Sequence, residues 1–351
     1  MSASVLLYGA SGYSGGSVAR RAVECGWRPV LCGRDAQKLA RLGEALGCEH
    51  RVAPASDAAA LDRAFDGTRV VVNAAGPFSR TAAPVLDACL RAGAHYLDLS
   101  AEVPAIEWLA TRDADARARG LMIMPAIGFD VVATDCLAVH VARRLPGAVR
   151  VAIAVTNLFF VTRGSAKTLL EAVDRGLVRR NGRLVEVPLG SREHAFDYGS
   201  GPRASINVSL ADLTTAYHST GIPNVETYTE GTPVMRGLLA ACRGFGWMMR
   251  TGPAQAWLAA CADLLPEDPG ATDGAESRTM AVVAEADDGA GRRALARLHT
   301  PEAYAFTPLA ASAVVARVLG GDVEPGFQTP GRVYGGDFVL GLPGVVREDL
   351  A

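Results

Sequence analysis

The residues best suited to chemistry open the chain. In "LLYGASGYSGG", residues 6–16, an apolar run ending at Tyr8 drops into Gly9, Gly12 and Gly15, with Ser11, Tyr13 and Ser14 between them. Helix-forming sequence follows from Ser17 to Cys25. A strand that turns on glycines into a helix start presents unpaired N–H groups and a partial positive charge, and the missing side chains let a pyrophosphate reach the backbone. The spacing is GxxGxxG rather than GxGxxG, so the motif alone also suits an ordinary glycine turn. The next strand-like run ends "VLCGRDAQKL", placing Gly33 and Arg34 where the adenosine ribose of a dinucleotide is read, with Lys38 one helical turn on. Two cations there suit a 2′-phosphate, and so NADP(H) rather than NAD. Asp35 reads as the cap of the following helix. If Arg34 and Lys38 were only solvated surface charges, the choice of dinucleotide would stay open.

Ligands of open parallel sheets bind outside the carboxyl ends of the strands. The fourth run ends "NAAGPFSR", where Asn73, Ala75, Gly76, Pro77 and Phe78 shape a turn on the nicotinamide side. The fifth, "HYLDLSAE", brings Asp98, Ser100 and Glu102 to the same edge, and the sixth runs into "PAIGFDVVATD" with Asp130 and Asp135. The plainer role of these last two is helix capping and dipole compensation.

With hydride supplied by the cofactor, the protein owes a proton donor. The candidates, in order, are Lys167, Tyr217, His218 and Asp130. Lys167 in "TRGSAKTLLEAV" falls in the first turn of an expected helix, where a cation opposes the dipole. A substrate anion or proton relay would account for it, as would a lysine stretched into solvent. Tyr217 and His218 in "TAYHSTG" precede a turn at Gly221, and Asn224, Glu226 and Tyr228 alternate onto one face of the next strand. A short-chain dehydrogenase would need Tyr-x-x-x-Lys, but the only lysines are Lys38 and Lys167, with Arg34 and Arg163 four residues before them. An acyl-phosphate reductase would need an activated thiolate. Cys136 and His140 in "DCLAVHVARRL" have helical spacing for that, although a buried helix face explains the pair equally simply.

The elements that must position these residues alternate regularly. Strands are expected at Val5–Tyr8, Pro29–Cys32, His50–Ala53, Val70–Asn73, His95–Leu99 and Leu121–Pro125. Helices are expected from Ser17, over Ala36–Leu46, Ala58–Phe65 and Ala82–Ala92, and over Pro104–Arg119. This is an α/β pattern, a Rossmann-type doubly wound parallel sheet over residues 1–130. Residues 131–305 read as a second, α+β domain with a mostly antiparallel sheet: strands at Val149–Asn157, Ser205–Leu210, Val225–Glu230, Thr279–Ala286 and Arg292–His299, and helices over Ala166–Leu177 and Val234–Arg250. Residues 306–351 form a C-terminal segment, with a helix over Thr307–Leu319 and a glycine-rich tail.

The 351 residues carry a net charge of −2 with no basic block, which argues against nucleic acid. No apolar run reaches the roughly 18 residues of a membrane helix. The start of the chain reads as lacking a secretory leader, so a cytoplasmic protein is expected. Seven cysteines without a CxxC pair read as reduced residues, not a disulfide frame or a metal site.

Taken together, "YGASGYSGG", "CGRDAQKL", "NAAGPF", "ACLRAGAHYLDLSAE" and "GFDVVATD" resemble, in order and spacing, the saccharopine dehydrogenase-like NADP-binding oxidoreductases, a group that includes saccharopine reductases and trans-acting enoyl reductases. "TAYHSTGIPNVETY" and "GFQTPGRVYGG" resemble its later segments. The resemblance implies an NADP(H)-dependent reductase of a C=N or C=C bond in a small, acyl, imine or carrier-bound biosynthetic intermediate. It also implies a C-terminal segment returning to the nucleotide domain, and a homodimer formed through the second domain. The competing reading is a protein that senses NADP(H) and binds a partner without turnover, since a Rossmann fold does not guarantee catalysis.

Overall fold

The computed structural model describes residues 5–156, 176–233, 236–237 and 279–350. They form two compact units, Met1–Val132 with Ala303–Pro343, and Ala133–Glu302 with Gly344–Ala351.

The first unit alternates β1 (Val5–Tyr8), α1 (Tyr13–Glu24), β2 (Val30–Gly33), α2 (Ala36–Leu46), β3 (His50–Val52), α3 (Ala58–Phe65), β4 (Val70–Asn73), α4 (Phe78–Ala92), β5 (His95–Asp98), α5 (Val103–Thr111), α6 (Asp113–Arg117) and β6 (Met122–Met124). A further helix, α7 (Phe129–Arg144), then carries the chain across the boundary into the second unit. Every residue of β1, β2 and β4 is buried, as expected of parallel strands covered on both faces. Two helices begin a turn earlier than their apolar periodicity indicates. The glycine turn ends directly at Tyr13, and Pro77 stands immediately before Phe78 as the cap of α4. The helix expected over Pro104–Arg119 is two, broken at Arg112.

The parallel sheet has seven strands rather than six. After the helix Ala303–Leu319, the two-residue strand Gly326–Phe327 pairs parallel with β6, and the order from it runs β6, β5, β4, β1, β2, β3. Two residues carry no periodic signal, so this strand is held from outside: Asp113 Oδ1 accepts the Phe327 N–H at 2.8 Å while Oδ2 pairs with Arg117 Nε.

The second unit is built on β7 (Arg150–Val155), β8 (Gly176–Arg180), β9 (Arg183–Val187), β10 (Glu193–Asp197), β11 (Pro202–Asn207), α8 (Asp212–Thr220), β12 (Asn224–Glu230), β13 (Thr279–Asp287), β14 (Arg293–Pro301) and the last strand, Val346–Leu350. Its order is β10, β11, β12, β7, β13, β14 and Val346–Leu350, with the β8–β9 hairpin joined to β12. The pairs are antiparallel except β7 with β12. One face is lined by Ala152, Ala154, Ala281 and Val283, under Phe196, Tyr198 and Tyr228. Beside them Arg150 bridges the buried carboxylates of Glu226 and Glu285 and reaches Asp287 at 3.0 Å. Asn224, Glu226 and Tyr228 alternate on β12 as expected and are used within the sheet: Tyr228 Oη donates to Glu226 Oε2, and Asn224 Nδ2 donates to the Val149 carbonyl.

Several expectations are corrected. Gly176 and Leu177, read as helical, are in β8; the rest of that expected helix and nearly all of the one over Val234–Arg250 lie outside the described residues. The hairpin β8–β9 turns on Asn181 and Gly182, both with positive φ, the Asn-Gly signature of a two-residue hairpin loop. The C-terminal segment divides: its helix and short strand belong to the parallel sheet's unit, whereas Val346–Leu350 pairs with β14, and Asp349 Oδ1 meets His140 Nε2 at 2.6 Å and Arg144 Nη1 at 3.0 Å.

Removing the acceptor that pins the seventh strand removes a hydrogen bond from the buried Phe327 N–H to a carboxylate, which costs about 1.5–3 kcal/mol. Asp113→Ala should therefore lower the urea midpoint of the parallel unit, whereas Asp113→Asn, which keeps an acceptor oxygen, should stay close to the parent. Equal midpoints for Asp113→Ala and the parent would contradict this account of the strand.

Candidate functional site

Parallel pairing sets Tyr8 beside Cys32 and Asn73, and Asn73 beside Asp98, so the loops after β1, β2, β4 and β5 leave one edge of the sheet. The first loop fits a phosphate because of how tightly it is folded. Gly9 has φ +82°, and a Cβ there would lie 2.7 Å from the Ala75 nitrogen. A Cβ on Gly15 would run into the Gly9 carbonyl oxygen. The Gly9 and Ala10 N–H groups donate to the Cys32 carbonyl, and Gly12 N–H donates to Gly9. The N–H groups of Ser14 and Gly15, in the first turn of α1, have no acceptor among the described residues. No side chain caps this helix and no acid occupies its first turn, so its end is left for an external anion.

At the end of β2, Arg34 and Lys38 are exposed, and Asp35 Oδ1 accepts the Lys38 N–H at 3.0 Å. The carboxylate beside the two cations is thus occupied in capping α2. Gly33 is buried, but a Cβ there would meet Gly9 only at ordinary contact distance, 3.8 Å, so packing does not require glycine at this point.

Beneath the loops runs a buried hydrogen-bonded chain. Asn73 Nδ2 reaches Thr81 Oγ1 and Tyr96 Oη, each at 3.3 Å, and its Oδ1 accepts the Ala75 N–H at 3.0 Å. Tyr96 Oη donates to Asp98 Oδ2 at 2.8 Å, and Asp98 Oδ1 accepts the N–H groups of Ser100 and Ala126. Ala126 has φ +57°, a conformation a non-glycine residue keeps only when its surroundings hold it. Ser100 Oγ accepts the Glu102 N–H, and both Glu102 oxygens accept from the start of α4: Phe78 N–H at 2.7 Å and Ser79 N–H at 2.8 Å. So Asn73 and Ser100, expected to touch the dinucleotide, are fully buried under the loops. Ala75, Gly76, Pro77 and Phe78 form the turn they support, with a cis Gly76–Pro77 peptide bond. Tyr96 and the clamp by Glu102 were not foreseen. Tyr96 is legible as Asp98's neighbour on one strand face, two residues away, whereas the reach of Glu102 to α4 is tertiary.

The proton-donor candidates separate. Lys167 lies outside the described residues. Tyr217, on α8, packs under the guanidinium of Arg179, 4.5 Å from the ring centroid, and Arg179 is buried and donates to the Leu213 and Gly182 carbonyls. His218 stands edge-on to Tyr217. These contacts tie Tyr217 to the β8–β9 hairpin. Asp130, in the first turn of α7, belongs to the nucleotide unit. It is reachable by water, yet enough protein surrounds its carboxyl that desolvation pushes it up to about 6, against a hydrogen bond from its own N–H. Asp135 is fully buried and accepts from Ser219 Oγ. Cys136 is buried too and His140 meets the Asp349 carboxylate, so the two side chains are occupied in the core and in this contact rather than forming a thiolate site.

The comparisons with known proteins agree with the loop. The saccharopine dehydrogenase NADP binding domain matches residues 5–124. Over that segment the chain is similar to the saccharopine dehydrogenase family. The matched segment contains the glycine loop and the cations after β2. Among curated relatives, a trans-acting enoyl reductase of Mycobacterium ulcerans (strain Agy99) is 30% identical over 187 residues, 48% of this chain and 44% of the relative. One from Mycobacterium leprae (strain TN) is 32% identical over 149 residues, 40% and 36% of the two chains. These matches span less than half the length of either relative. Apo saccharopine dehydrogenase (L-Glu forming) from Saccharomyces cerevisiae superposes with a TM-score of 0.66 over 99% of this chain and 100% of its own, at 13% identity, a likeness of fold. Among the described residues no helix is long and apolar enough to cross a membrane, and no cluster of ligands suits a metal ion.

Two outcomes follow. In a fluorescence titration Gly15→Ala should lose NADPH binding, and Arg34→Ala should lose the preference for NADPH over NADH while still binding both; a Gly15→Ala variant that binds normally would contradict the loop assignment. Separately, burial raises the Asp98 carboxyl from 3.8 to about 6, partly offset by the N–H groups of Ala126 and Ser100. The folded chain therefore holds this proton more tightly than the unfolded chain. The stabilisation is complete below about pH 4 and is withdrawn as pH rises through about 6, by on the order of 1–3 kcal/mol. Urea midpoints compared across this range should show that limb in the parent and a flatter one in Asp98→Asn.

Proposed function

We propose that the protein is an NADPH-dependent reductase acting on a polarised C=C bond, with C=N the alternative, in a small or carrier-bound intermediate. The observation that carries this reading is the glycine loop, which leaves the first turn of α1 open to an anion and is crowded by backbone wherever a side chain would begin. The names of the mycobacterial relatives favour the enoyl bond. NADPH, when bound, would supply the hydride.

The chain's own residues do the rest. Gly9, Gly12 and Gly15 with Ser11, Tyr13 and Ser14 hold the pyrophosphate, and Arg34 with Lys38 neutralise the 2′-phosphate. The turn from Ala75 to Phe78, fixed by Asn73 from one side and Glu102 from the other, orients the nicotinamide end. Asp130 holds the proton: with its carboxyl pushed up to about 6, a fraction of the molecules keep it at neutral pH, and its position in the nucleotide unit makes it a better donor candidate than Tyr217, whose ring is stacked under Arg179. The protein is read as a homodimer on family resemblance, and a cytoplasmic location is expected.

The test is NADPH oxidation with enoyl thioesters, free and carrier-bound, alongside cyclic imines. Enoyl thioesters should be reduced, with kcat declining as pH rises through about 6 and that decline absent in Asp130→Asn. Tight NADPH binding without oxidation against either class would favour a sensing role instead.

A further inference from the structure

The helix Ala303–Leu319 comes from the far end of the chain, yet its first turns touch both the phosphate loop and the start of α7. Thr307 Oγ1 accepts the Phe129 N–H at 3.2 Å, satisfying one of the donors that a helix N-terminus leaves open. The same hydroxyl donates to the Ala303 carbonyl at 2.8 Å, and this bond back along its own helix fixes the side chain, leaving a lone pair for Phe129. The Thr307 methyl lies 3.1 Å from where a Cβ on Gly128 would stand, so a glycine is what lets the two backbones come this close. One residue before Thr307, Phe306 meets Phe129 edge-on at 5.7 Å, and both rings are buried. At the tip of the helix Tyr304 meets Tyr13, the first residue of α1, edge-on at 5.3 Å. All of these residues belong to the first unit.

From this geometry we infer that Thr307 is a positioning residue: it anchors the first turn of α7, and with it the Asp130 carboxyl, to the helix that also seats on the phosphate loop. The inference rests on the reading of Asp130 as the proton donor. Asp130 directly follows Phe129, and its carboxylate accepts its own backbone N–H, so the acid moves with the turn that Thr307 holds. The phosphate loop and the acid are separated by the whole sheet in sequence, and a single helix end sets their spacing.

The test compares Thr307→Val, which keeps the shape and removes the hydroxyl, with Thr307→Ser, which keeps the hydroxyl. The full chain is labelled with [13Cγ]aspartate, and the Asp130 resonance is identified by its loss in Asp130→Asn. Thr307→Val should displace the titration midpoint of that resonance while leaving the NADPH Kd within about twofold, and Thr307→Ser should restore the midpoint. With a substrate from the thioester screen, Thr307→Val should lower kcat by about tenfold or more with little change in KM, as expected of a misplaced group rather than lost binding. An unmoved Asp130 resonance in a folded Thr307→Val variant would overturn the inference. If the resonance moves but Asp130→Asn turns over normally, the positioning stands and the donor assignment falls.

Discussion

Everything at the ligand edge depends on how closely the first loop approaches the fourth. Gly9 sits against Ala74 and Ala75 at a separation no side chain allows, and Gly15 sits against Gly9 in turn. These contacts are backbone on backbone, so they cannot be relieved by a rotamer change. They bring the start of α1 to the edge of the sheet beside the turn that opens α4. The two helix starts are then distinguished by what fills them. Glu102 puts both carboxylate oxygens on the N–H groups of α4, while α1 has neither a cap nor an acid in its first turn. One positive helix end is satisfied internally and the other is open to an anion.

Below the loops, the Asn73–Tyr96–Asp98 chain does for β4, β5 and β6 what the glycines do for β1. Its members are buried and matched with one another, so each holds a loop in place without exposing an unpaired polar atom. The cost is a carboxyl that has been removed from water and is reluctant to ionise, a tolerable arrangement because two N–H groups and a phenol face it. Replacement by Asn would leave the geometry nearly intact but exchange an acceptor oxygen for a donor group.

Much of this was legible in the sequence for simple reasons. Continuous apolar runs between amphipathic stretches gave the parallel strands because both faces of such a sheet are covered. Glycines at 9 and 15 and Asp35 marked the tight first loop and the cap of α2 because backbone crowding and capping act over a few residues. The Asn-Gly at 181–182 carries the local signature of the β8–β9 hairpin, and the helical reading of Ala166–Leu177 runs into β8. What could not be read is tertiary. Nothing near Gly326 signals a strand, since Asp113, distant in sequence, supplies its fixing bond. Asn73 and Ser100 have the right types for contacts with a ligand, but burial turns them into supports. The contact of Thr307 with Phe129 joins residues 178 apart and leaves no local trace.

The central claim is that the open end of α1, and not the filled end of α4, takes the pyrophosphate, with the 2′-phosphate at Arg34. A crystal structure of the chain with NADP+ tests this most directly. The account expects the pyrophosphate oxygens on the N–H groups of Ser14 and Gly15, the 2′-phosphate on Arg34 and Lys38, and Glu102 still bound to Phe78 and Ser79. A pyrophosphate seated on α4 with Glu102 displaced, or a dinucleotide lying away from Gly9 to Gly15, would contradict it.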